Sequence, residues 1–440
     1  MKTKQNPRQD LEDSALAVRG TVLIGIDWAD KLHAWHRVDA DGNVSRGELK
    51  QSPVDIARWI QSIKQQCPES RIEICIETSR GALINALLEH DVTLYPINPN
   101  ALASYRKSFA HGGGKSDRVD ARLIFQFLAA RRNSLRSLSQ NEPLTRKLAA
   151  LSRDRRQLVQ QRVKLSNQLK ATLKTYFPAA IELDAAKMYA DFMVAFLLKY
   201  PSLEAAQKAG ATRIRKYFFG VGSKAKAQQR VELLCEARPL TTDEVSISTC
   251  SRKVQAICSM LKSLNQSIRQ YDSELKELVV THDQYEFVAS LPGASANTQS
   301  RIIAALGDDR SRYENPESLQ CAAGIAPLTT QSGNQKYVSS RWACTKFIKQ
   351  TFHEYAGLSK SRCRWAKAYY DSQIQAGKSS QTAKRALAYK WMRIIFRCWQ
   401  DGVLYDDHKY MQRLKKTGSP LALKLFPELQ NTSKQTVNTV

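Results

Sequence analysis

Residues 22–27 read Val-Leu-Ile-Gly-Ile-Asp, an apolar run that ends on a carboxylate. A second run of this kind, Ile-Glu-Ile-Cys-Ile-Glu, occupies residues 72–77 and also ends on an acid, Glu77. Short apolar runs bounded in this way are typical of buried β-strands. A carboxylate in such a strand is costly unless a counter-charge or a metal ion balances it, so Asp27 is a candidate functional residue.

Two further acids, Asp117 and Asp120, lie three residues apart in Lys-Ser-Asp-Arg-Val-Asp-Ala at 115–121. A predicted helix over 117–132 places both on one face. Any one of these acids alone would be a surface charge or a helix cap. Together the four predict a cluster that binds Mg²⁺, with Mn²⁺ as the alternative ion, because hard divalent cations take oxygen ligands. Two such ions can clamp the attacking and leaving oxygens of a phosphodiester.

The order of the predicted elements around the acids indicates the fold. Three strands in a meander are followed by alternating helices and strands: strands 21–28, 33–38, 43–49, 71–77 and 92–97, and helices 53–66, 80–90, 100–108 and 117–132. This order is typical of an RNase H-like α/β fold, which presents its carboxylates on one edge of a mixed sheet.

Two later stretches predict long helices. Apolar side chains in 254–278 alternate at intervals of three and four, which is a heptad seam. The stretch 144–176 carries a similar leucine pattern, interrupted by Arg155 and Arg162. We expect a coiled coil in which the helices pair with each other or with those of another subunit, with a small helical insert at about 180–238.

The C-terminal part predicts contact with nucleic acid. Leu-Pro-Gly at 291–293 precedes a predicted helix at 297–306 and then a second short helix, an arrangement that looks like a helix-hairpin-helix. Residues 336–416 interleave Lys and Arg with aromatic residues, which suits stacking on bases. These aromatic residues are Tyr337, Trp342, Tyr355, Trp365, Tyr369, Tyr370, Trp391 and Trp399.

The composition limits the classes of protein to which the chain can belong. The chain has 440 residues, 42% of them hydrophobic, and a formal net charge of +26, which predicts two or three domains and a polyanionic partner. Nine cysteines without a metal-site spacing predict reduced thiols in a reducing cytosol. No apolar run is long enough for a membrane span, and no P-loop motif occurs.

The predicted domains follow these changes in pattern along the chain. They are a flexible leader (1–20), an RNase H-like domain with the four acids (21–142), coiled-coil helices with their insert (143–282), a helical C-terminal domain (283–410) and a flexible basic tail (411–440).

Taken in order, the motifs resemble the IS110/IS1111 family of insertion-sequence transposases, related to the Piv DNA invertases. The resemblance runs from about 21 to 400. The matching motifs are Gly-Ile-Asp-Trp-Ala (25–29), Ile-Glu-Thr-Ser (76–79), Asn-Pro (98–99), Lys-Ser-Asp-Arg-Val-Asp-Ala (115–121), Leu-Pro-Gly (291–293), Ala-Ala-Gly-Ile-Ala-Pro (322–327) and Ser-Gly (332–333).

The resemblance implies a recombinase that uses both a serine and metal ions. Asp27, Glu77, Asp117 and Asp120 would form a RuvC-like DEDD tetrad that binds Mg²⁺. Ser332, which composition alone would assign to an ordinary turn, would attack the scissile phosphate to form a covalent protein–DNA phosphoester. The resemblance further implies oligomers through the coiled coil, a dimer or a tetramer, and a structured non-coding (bridge) RNA that selects donor and target DNA.

The candidates for nucleic-acid contact are basic residues and glycines of the matching motifs and the segments beside them. They are Lys115, Arg118, Gly293, Gly333, Lys336 and Arg341.

Three alternatives stay open. A Piv-like site-specific invertase would share the residues and differ in its DNA sites. A RuvC-like nuclease or junction resolvase would use only the acids and water, and would leave Ser332 dispensable. A non-catalytic nucleic-acid-binding protein would tolerate alanine at Asp27 or Asp117.

Overall fold

The computed structural model describes residues 7–109, 116–138, 140–221 and 226–426. The chain divides into two compact units, the first ending at Gln140 and the second beginning at Asn141.

The first unit is built on a five-stranded sheet. Its strands are β1 (Thr21–Asp27), β2 (Leu32–Val38), β3 (Val44–Lys50), β4 (Arg71–Ile76) and β5 (Thr93–Pro96). The strand order is β3-β2-β1-β4-β5. The first three strands pair antiparallel, whereas β1, β4 and β5 are parallel to one another. This mixed sheet is consistent with the predicted RNase H-like fold.

Five helices accompany the sheet: α1 (Pro7–Ser14), α2 (Pro53–Gln66), α3 (Ala82–Leu87), α4 (Pro99–Phe109) and α5 (Asp117–Arg131). Alternation along β1 divides its side chains between two cores. Val22, Ile24 and Ile26 belong to the core that contains α2 and α3, and Leu23 belongs to the core that contains α5. Helix α2 begins as its sequence predicts, with the Ser52 hydroxyl accepting from the backbone N–H of Asp55 and Pro53 at the first helical position.

The predicted flexible leader is wrong for the described residues from 7 onward, because α1 is tied to α5. The buried carboxylate of Asp13 accepts hydrogen bonds from Arg122 Nε (2.6 Å) and Nη2 (3.0 Å) and from Gln126 Nε2 (2.9 Å). His36 Nε2 lies 3.2 Å from the same carboxylate. A polar leader sequence does not reveal this tether, since its partners come from distant parts of the chain.

The second unit begins with two long helices that enclose a helical insert. The long helices are α6 (Pro143–Tyr176) and α12 (Glu244–Val279). The insert between them contains α7 (Ala179–Glu182), α8 (Asp191–Lys199), α9 (Leu203–Ala209), α10 (Ala211–Gly220) and α11 (Ala227–Glu236). The insert has its own apolar core, which Leu169 and Leu173 of α6 and Val254 and Ile257 of α12 complete.

Helices α6 and α12 pack antiparallel within one chain, which is one of the two arrangements that the heptad seam predicts. Lys147 Nζ lies 3.0 Å from Glu274 Oε1, and Arg155 Nε lies 2.6 Å from Asp272 Oδ1. Arg155, one of the two arginines that interrupt the leucine pattern, therefore forms an ion pair with the opposite helix. The apolar seam of α12 is covered within the chain, at Leu261 and Ile268 for example.

The remaining elements form the C-terminal part of the second unit. They are α13 (Tyr285–Ala289), α14 (Ala296–Leu306), α15 (Pro316–Ala322), β6 (Pro327–Ser332), β7 (Gln335–Ser340), α16 (Lys346–Ser359), α17 (Arg364–Gln375), α18 (Ser380–Asp401), α19 (Asp407–Lys416) and α20 (Pro420–Leu425). The predicted flexible tail is wrong as far as residue 426, because Leu414, Leu421 and Leu425 are buried in this core. Residues 427–440 lie outside the described part.

Half of the predicted row of base-stacking aromatic residues belongs to the core instead, as the helical face shared by Leu387 and Trp391 predicts for part of it. Tyr355, Trp365, Trp391 and Trp399 are buried side chains of the C-terminal core. The Trp365 and Trp391 rings lie 4.6 Å apart, and Trp391 Nε1 donates a hydrogen bond to Ser359 Oγ. Helical packing of large aromatic groups explains this stretch, since burying them contributes most of the available apolar area.

Among the described residues, no helix combines the length and the apolar character that crossing a membrane would require.

We predict that Asp13→Asn destabilises the first unit by about 1–2 kcal/mol at pH 7. Burial alone would raise the pKa of Asp13, but His36, Arg122 and Gln126 outweigh it and lower the pKa from 3.8 to about 2. A carboxylate with a lowered folded-state pKa stabilises the fold above pH 4, and this stability is lost as the pH falls towards 2. The difference between wild type and variant in urea denaturation should therefore shrink over that range. Asp10→Asn, which removes a more exposed pair with Arg46, is the control and should cost less than about 1 kcal/mol; equal losses would contradict the assignment.

Candidate active site

Asp27 and Glu77 lie side by side at one edge of the sheet. Strands β1 and β4 are parallel and pair Ile26 with Ile76, so the next residue of each strand is an acid at the same level. Both acids are partly buried. They follow Gly25 and Cys75 by two residues, which places them on the face of the sheet that α5 covers.

Gly25 lets the backbone of α5 approach β1 directly. A Cβ atom at residue 25 would lie 2.3 Å from the carbonyl oxygen of Ala121 and 2.3 Å from the amide nitrogen of Phe125. Any larger residue would have to move the helix. The sequence Gly-Ile-Asp at 25–27 therefore has two roles. Gly25 allows the close approach of α5, and Asp27 is the first of the four acids.

The direction of α5 brings its first turn towards these acids. Arg132, just beyond the C-terminus of α5, binds Glu73 of β4 with Nε at 2.7 Å and Nη2 at 2.8 Å. Glu73 is level with Leu23, whereas Ala121 and Phe125 lie over Gly25. Helix α5 therefore runs antiparallel to β1, and its N-terminus points to the edge that carries Asp27 and Glu77. Sequence reasoning passed over Glu73 because its partner follows 59 residues later.

Asp117 and Asp120 occupy the first turn of α5, which Ser116 caps by accepting from the backbone N–H of Val119. Asp117 is exposed, but Asp120 is only 5% exposed. Arg106 Nη2 lies 2.5 Å from Asp120 Oδ1, yet neither this oxygen nor Arg106 Nε has a hydrogen-bond partner. Asp120 therefore presents a buried oxygen whose charge is balanced but whose hydrogen-bonding capacity is unused.

A histidine holds the loop that follows Asp27. His33 is fully buried, its Nδ1 accepts from the backbone N–H of Ala29 at 3.1 Å, and its Nε2 lies 2.7 Å from Gln51 Oε1. Burial lowers the pKa of His33, against the opposing effect of Gln51. A neutral ring that accepts at Nδ1 and donates at Nε2 satisfies both contacts. The sequence contains no signal for this role, since the histidine lies within an ordinary strand.

The first turn of α5, with Asp117 and Asp120, points to the edge that carries Asp27 and Glu77, but the four acids do not form a closed set of ligands. In the described ranges, no group of three or more His, Cys, Asp or Glu side chains is close enough to hold a metal ion. The donors fit a hard divalent cation in chemistry, because all are carboxylates and Asp120 Oδ1 is buried without a hydrogen bond.

Ser332 lies in the second unit, at the end of β6 rather than in an irregular loop. The β6–β7 hairpin pairs Ser332 with Gln335, and Gly333 and Asn334 form its two-residue turn. Gly333 has φ +55, which suits the first position of a tight hairpin turn. The Ser332 hydroxyl is exposed and has no partner among the described residues.

The structure places the other nucleic-acid candidates as follows. Lys115 lies outside the described residues. Arg118 is exposed, and its Nη2 donates to Glu48 Oε1 at 3.2 Å. Gly293 has φ +80 in the turn before α14. Lys336 is exposed on β7, and Arg341 is partly buried just beyond it.

We predict that Gly25→Ala destabilises the first unit by about 3 kcal/mol or more, because the new methyl group overlaps backbone atoms that cannot rotate away. Urea denaturation followed by circular dichroism measures the loss. Gly220→Ala is the control, since Gly220 ends α10 and a Cβ atom there meets nothing within 4 Å. It should change stability by less than about 1 kcal/mol. A wild-type midpoint for Gly25→Ala would show that α5 does not depend on this contact.

Comparison with known proteins agrees with these motifs. A family model for transposases of the IS110 DEDD type matches residues 24–178, and a model described as the transposase IS116/IS110/IS902 family matches residues 285–371. The first region contains the four acids and the second contains Ser332.

Two relatives are similar over most of their length, and a third over a little under half of it. The mini-circle putative transposase for IS117 of Streptomyces coelicolor is 25% identical over 406 residues, which cover 88% of this chain and 96% of the relative. An uncharacterized 44.8 kDa protein of insertion element IS116 from Streptomyces clavuligerus is 26% identical over 71% of this chain and 78% of its own. The putative transposase y4uE of Sinorhizobium fredii is 28% identical over 36% of this chain and 46% of its own.

The two family matches lie in the predicted order, and the first spans the sheet edge at which Asp27 and Glu77 lie, so the chain belongs to the IS110/IS1111 family and is a DNA transposase.

Proposed function

We propose that this transposase cuts and rejoins the DNA of an insertion sequence through a metal-dependent DEDD tetrad and a covalent serine–DNA phosphoester. The observation that supports the proposal is that parallel β1 and β4 bring Asp27 and Glu77 to one edge of the sheet, towards which the first turn of α5, with Asp117 and Asp120, points. Transposases act on DNA. What we propose in addition is the chemical means by which this chain breaks the DNA strand.

Asp27, Glu77, Asp117 and Asp120 are the residues that would hold Mg²⁺. When bound, the ion would supply positive charge beside the phosphate as negative charge develops on it. The role of the protein is to hold the four acids in position. Gly25 sets the distance of α5 from β1, and the Glu73–Arg132 pair holds the far end of the helix.

Ser332 is the proposed nucleophile. Its oxygen forms a bond to phosphorus, the serine proton leaves, and the P–O bond to one side of the DNA linkage breaks with release of a DNA hydroxyl group. One phosphoester replaces another, so the bond energy is retained for rejoining and no nucleotide cofactor is required. An exposed serine at the tip of a hairpin can approach a DNA backbone without displacing other structure.

The formal charge of +26 is compatible with binding an RNA as well as DNA. We therefore include a structured non-coding RNA that selects donor and target as part of the proposal. We also propose a homo-oligomer, a dimer or tetramer. Because the seam of α12 is covered by α6 of the same chain, contacts between subunits would use other faces of these helices.

Two alternatives make different predictions. A RuvC-like nuclease would use water as its nucleophile and would form no protein–DNA bond. A Piv-like invertase would form the same bond and would differ only in the DNA sites that it joins.

We predict that Ser332→Ala abolishes the covalent adduct while leaving DNA binding within about twofold, because the removed oxygen is exposed and has no partner. Wild type is incubated with end-labelled donor-end DNA, Mg²⁺ and its co-purified RNA, and the products are resolved on a denaturing gel. Ser339→Ala removes another exposed hydroxyl from the same hairpin and should retain the adduct. An adduct that survives in Ser332→Ala would refute the nucleophile.

We predict that Asp120→Asn weakens Mn²⁺ binding at least about tenfold, because one of the carboxylate ligands loses its charge. Mn²⁺ electron paramagnetic resonance measures binding without DNA. The matched control is Asp91→Asn, an exposed acid that precedes β5 and therefore lies at the opposite edge of the parallel strands. Equal affinity in wild type and Asp120→Asn, with unchanged circular dichroism, would remove Asp120 from the tetrad.

A further inference from the structure

The β6–β7 hairpin is exposed on both faces. All six residues of β6 and the first five of β7 are exposed. A two-stranded hairpin in water is marginally stable at best unless another surface covers it. The hairpin that carries Ser332 is therefore built to be completed by a partner.

Large apolar side chains are concentrated on and beside this hairpin. Trp342 is 88% exposed, Val338 65%, Tyr337 61% and Leu328 41%. The aromatic residues of the neighbouring helices, such as Trp365 and Trp391, are instead fully buried. Of the eight aromatic residues predicted to stack on bases, Tyr337 and Trp342 are exposed. The others pack in the core or against it.

Register places Tyr337 on the same face as Ser332. Ser332 pairs with Gln335 and Thr330 pairs with Tyr337, so the side chains of all four residues share one face. Tyr337 is the diagonal neighbour of Ser332, at about 7–8 Å between backbone positions. Its hydroxyl donates a hydrogen bond to Gln335 Oε1 at 2.8 Å, which holds the ring along the strand towards the serine.

The base of the hairpin is anchored in the second unit. Arg385 Nη1 donates to Ser340 Oγ at 2.5 Å, and Lys349 Nζ donates to the carbonyl oxygen of Arg341 at 3.1 Å. Gly324, with φ +63, packs so closely on Cys344 that a Cβ atom would lie 2.4 Å from its Sγ. The packed helices therefore present the exposed tip from a fixed base.

The charge of the segment around the hairpin indicates which kind of partner binds this surface. Residues 318–353 contain four Lys or Arg and no Asp or Glu. The same segment of a second copy carries charge of the same sign and would be repelled, whereas a nucleic acid would be attracted. Exposed aromatic rings among cations are the arrangement that stacks on bases and neutralises phosphates.

We propose that the Ser332 face of the hairpin binds the DNA strand that is cut, with Tyr337 stacking on an unstacked base next to the scissile phosphate. Tyr337 is then a positioning residue that places the phosphate at the Ser332 oxygen. Trp342 stacks farther along the same strand. This inference rests on the proposed role of Ser332 and names the substrate contact that the role requires.

The first experiment measures single-turnover adduct formation with donor-end DNA, Mg²⁺ and co-purified RNA. Tyr337→Ala should slow adduct formation about 5- to 150-fold, the range that corresponds to the loss of one base–aromatic stack. Tyr337→Phe, which keeps the ring and loses only the hydroxyl, should stay within about threefold of wild type. Val338→Thr on the opposite face is the matched control and should leave the rate unchanged.

DNA that lacks one base beside the scissile phosphate separates stacking from a structural effect. The abasic substrate should slow wild type about as much as Tyr337→Ala does, and should slow Tyr337→Ala no further. Equal slowing of both proteins by every abasic position, or a wild-type rate for Tyr337→Ala, would overturn the proposal. The abasic test on wild type alone decides the matter if Tyr337→Ala fails to fold.

A binding measurement keeps this inference distinct from the proposed nucleophile. In Ser332→Ala, donor-end DNA should reduce acrylamide quenching of tryptophan fluorescence, and Trp342→Phe in the same background should remove most of that protection. If the adduct forms but Trp342 is not protected from quenching, Ser332 is still the nucleophile and Trp342 is refuted as a stacking residue. Protection without an adduct in wild type would refute the nucleophile alone. Protection that arises without DNA and follows protein concentration would identify a second copy as the occupant and overturn the proposal.

Discussion

The contact of two backbones at Gly25 is the constraint on which the catalytic unit depends. With no side chain between them, the Ala121 carbonyl and the Phe125 amide of α5 lie against β1. Asp120 precedes that contact on the helix, and Asp27 follows it on the strand by two residues. A single small residue therefore brings acids that are 93 positions apart in sequence towards one edge. Close packing of this kind leaves little freedom to adjust, because interiors are nearly as dense as organic crystals.

Arginine pairs secure the helix on this surface. Arg122 binds the buried Asp13 of α1, Arg132 binds Glu73 of β4, and Arg106 of α4 lies against Asp120. Each carboxylate is nearly or fully buried, so each would be costly without its cation. The three pairs differ in how completely they are satisfied. Asp13 and Glu73 accept well-formed hydrogen bonds, whereas Asp120 keeps an oxygen without one. That difference separates two structural acids from the acid that we assign to metal binding.

The second unit uses its apolar residues mainly for packing. Helices α6 and α12 cover each other's seam, and the tryptophans of α17 and α18 fill the C-terminal core. The hairpin that contains Ser332 is the exception, with its strands exposed and its base held by Arg385 and Lys349. A rigid support for the exposed Ser332 agrees with its proposed role, because reacting groups must be held in place. In the proposed function, this hairpin and the acids of the first unit act on the same DNA linkage.

Local patterns in the sequence were sufficient to predict the strands of the first unit, the helix that begins at Asp117 and the seam of α12. Each of these depends on side-chain periodicity and on caps such as Ser52 and Ser116, which act over a few residues. The motifs also identified the family, because acids at strand ends leave a recognisable spacing. Tertiary structure alone decided which charged and aromatic residues are buried. Asp13 binds Arg122 from 109 residues away, Trp365 is buried while Tyr337 is exposed, and the tail is folded as far as residue 426. Such choices depend on partners that are distant in sequence, and a composition of mixed cations and aromatic groups is equally compatible with a core and with a nucleic-acid surface.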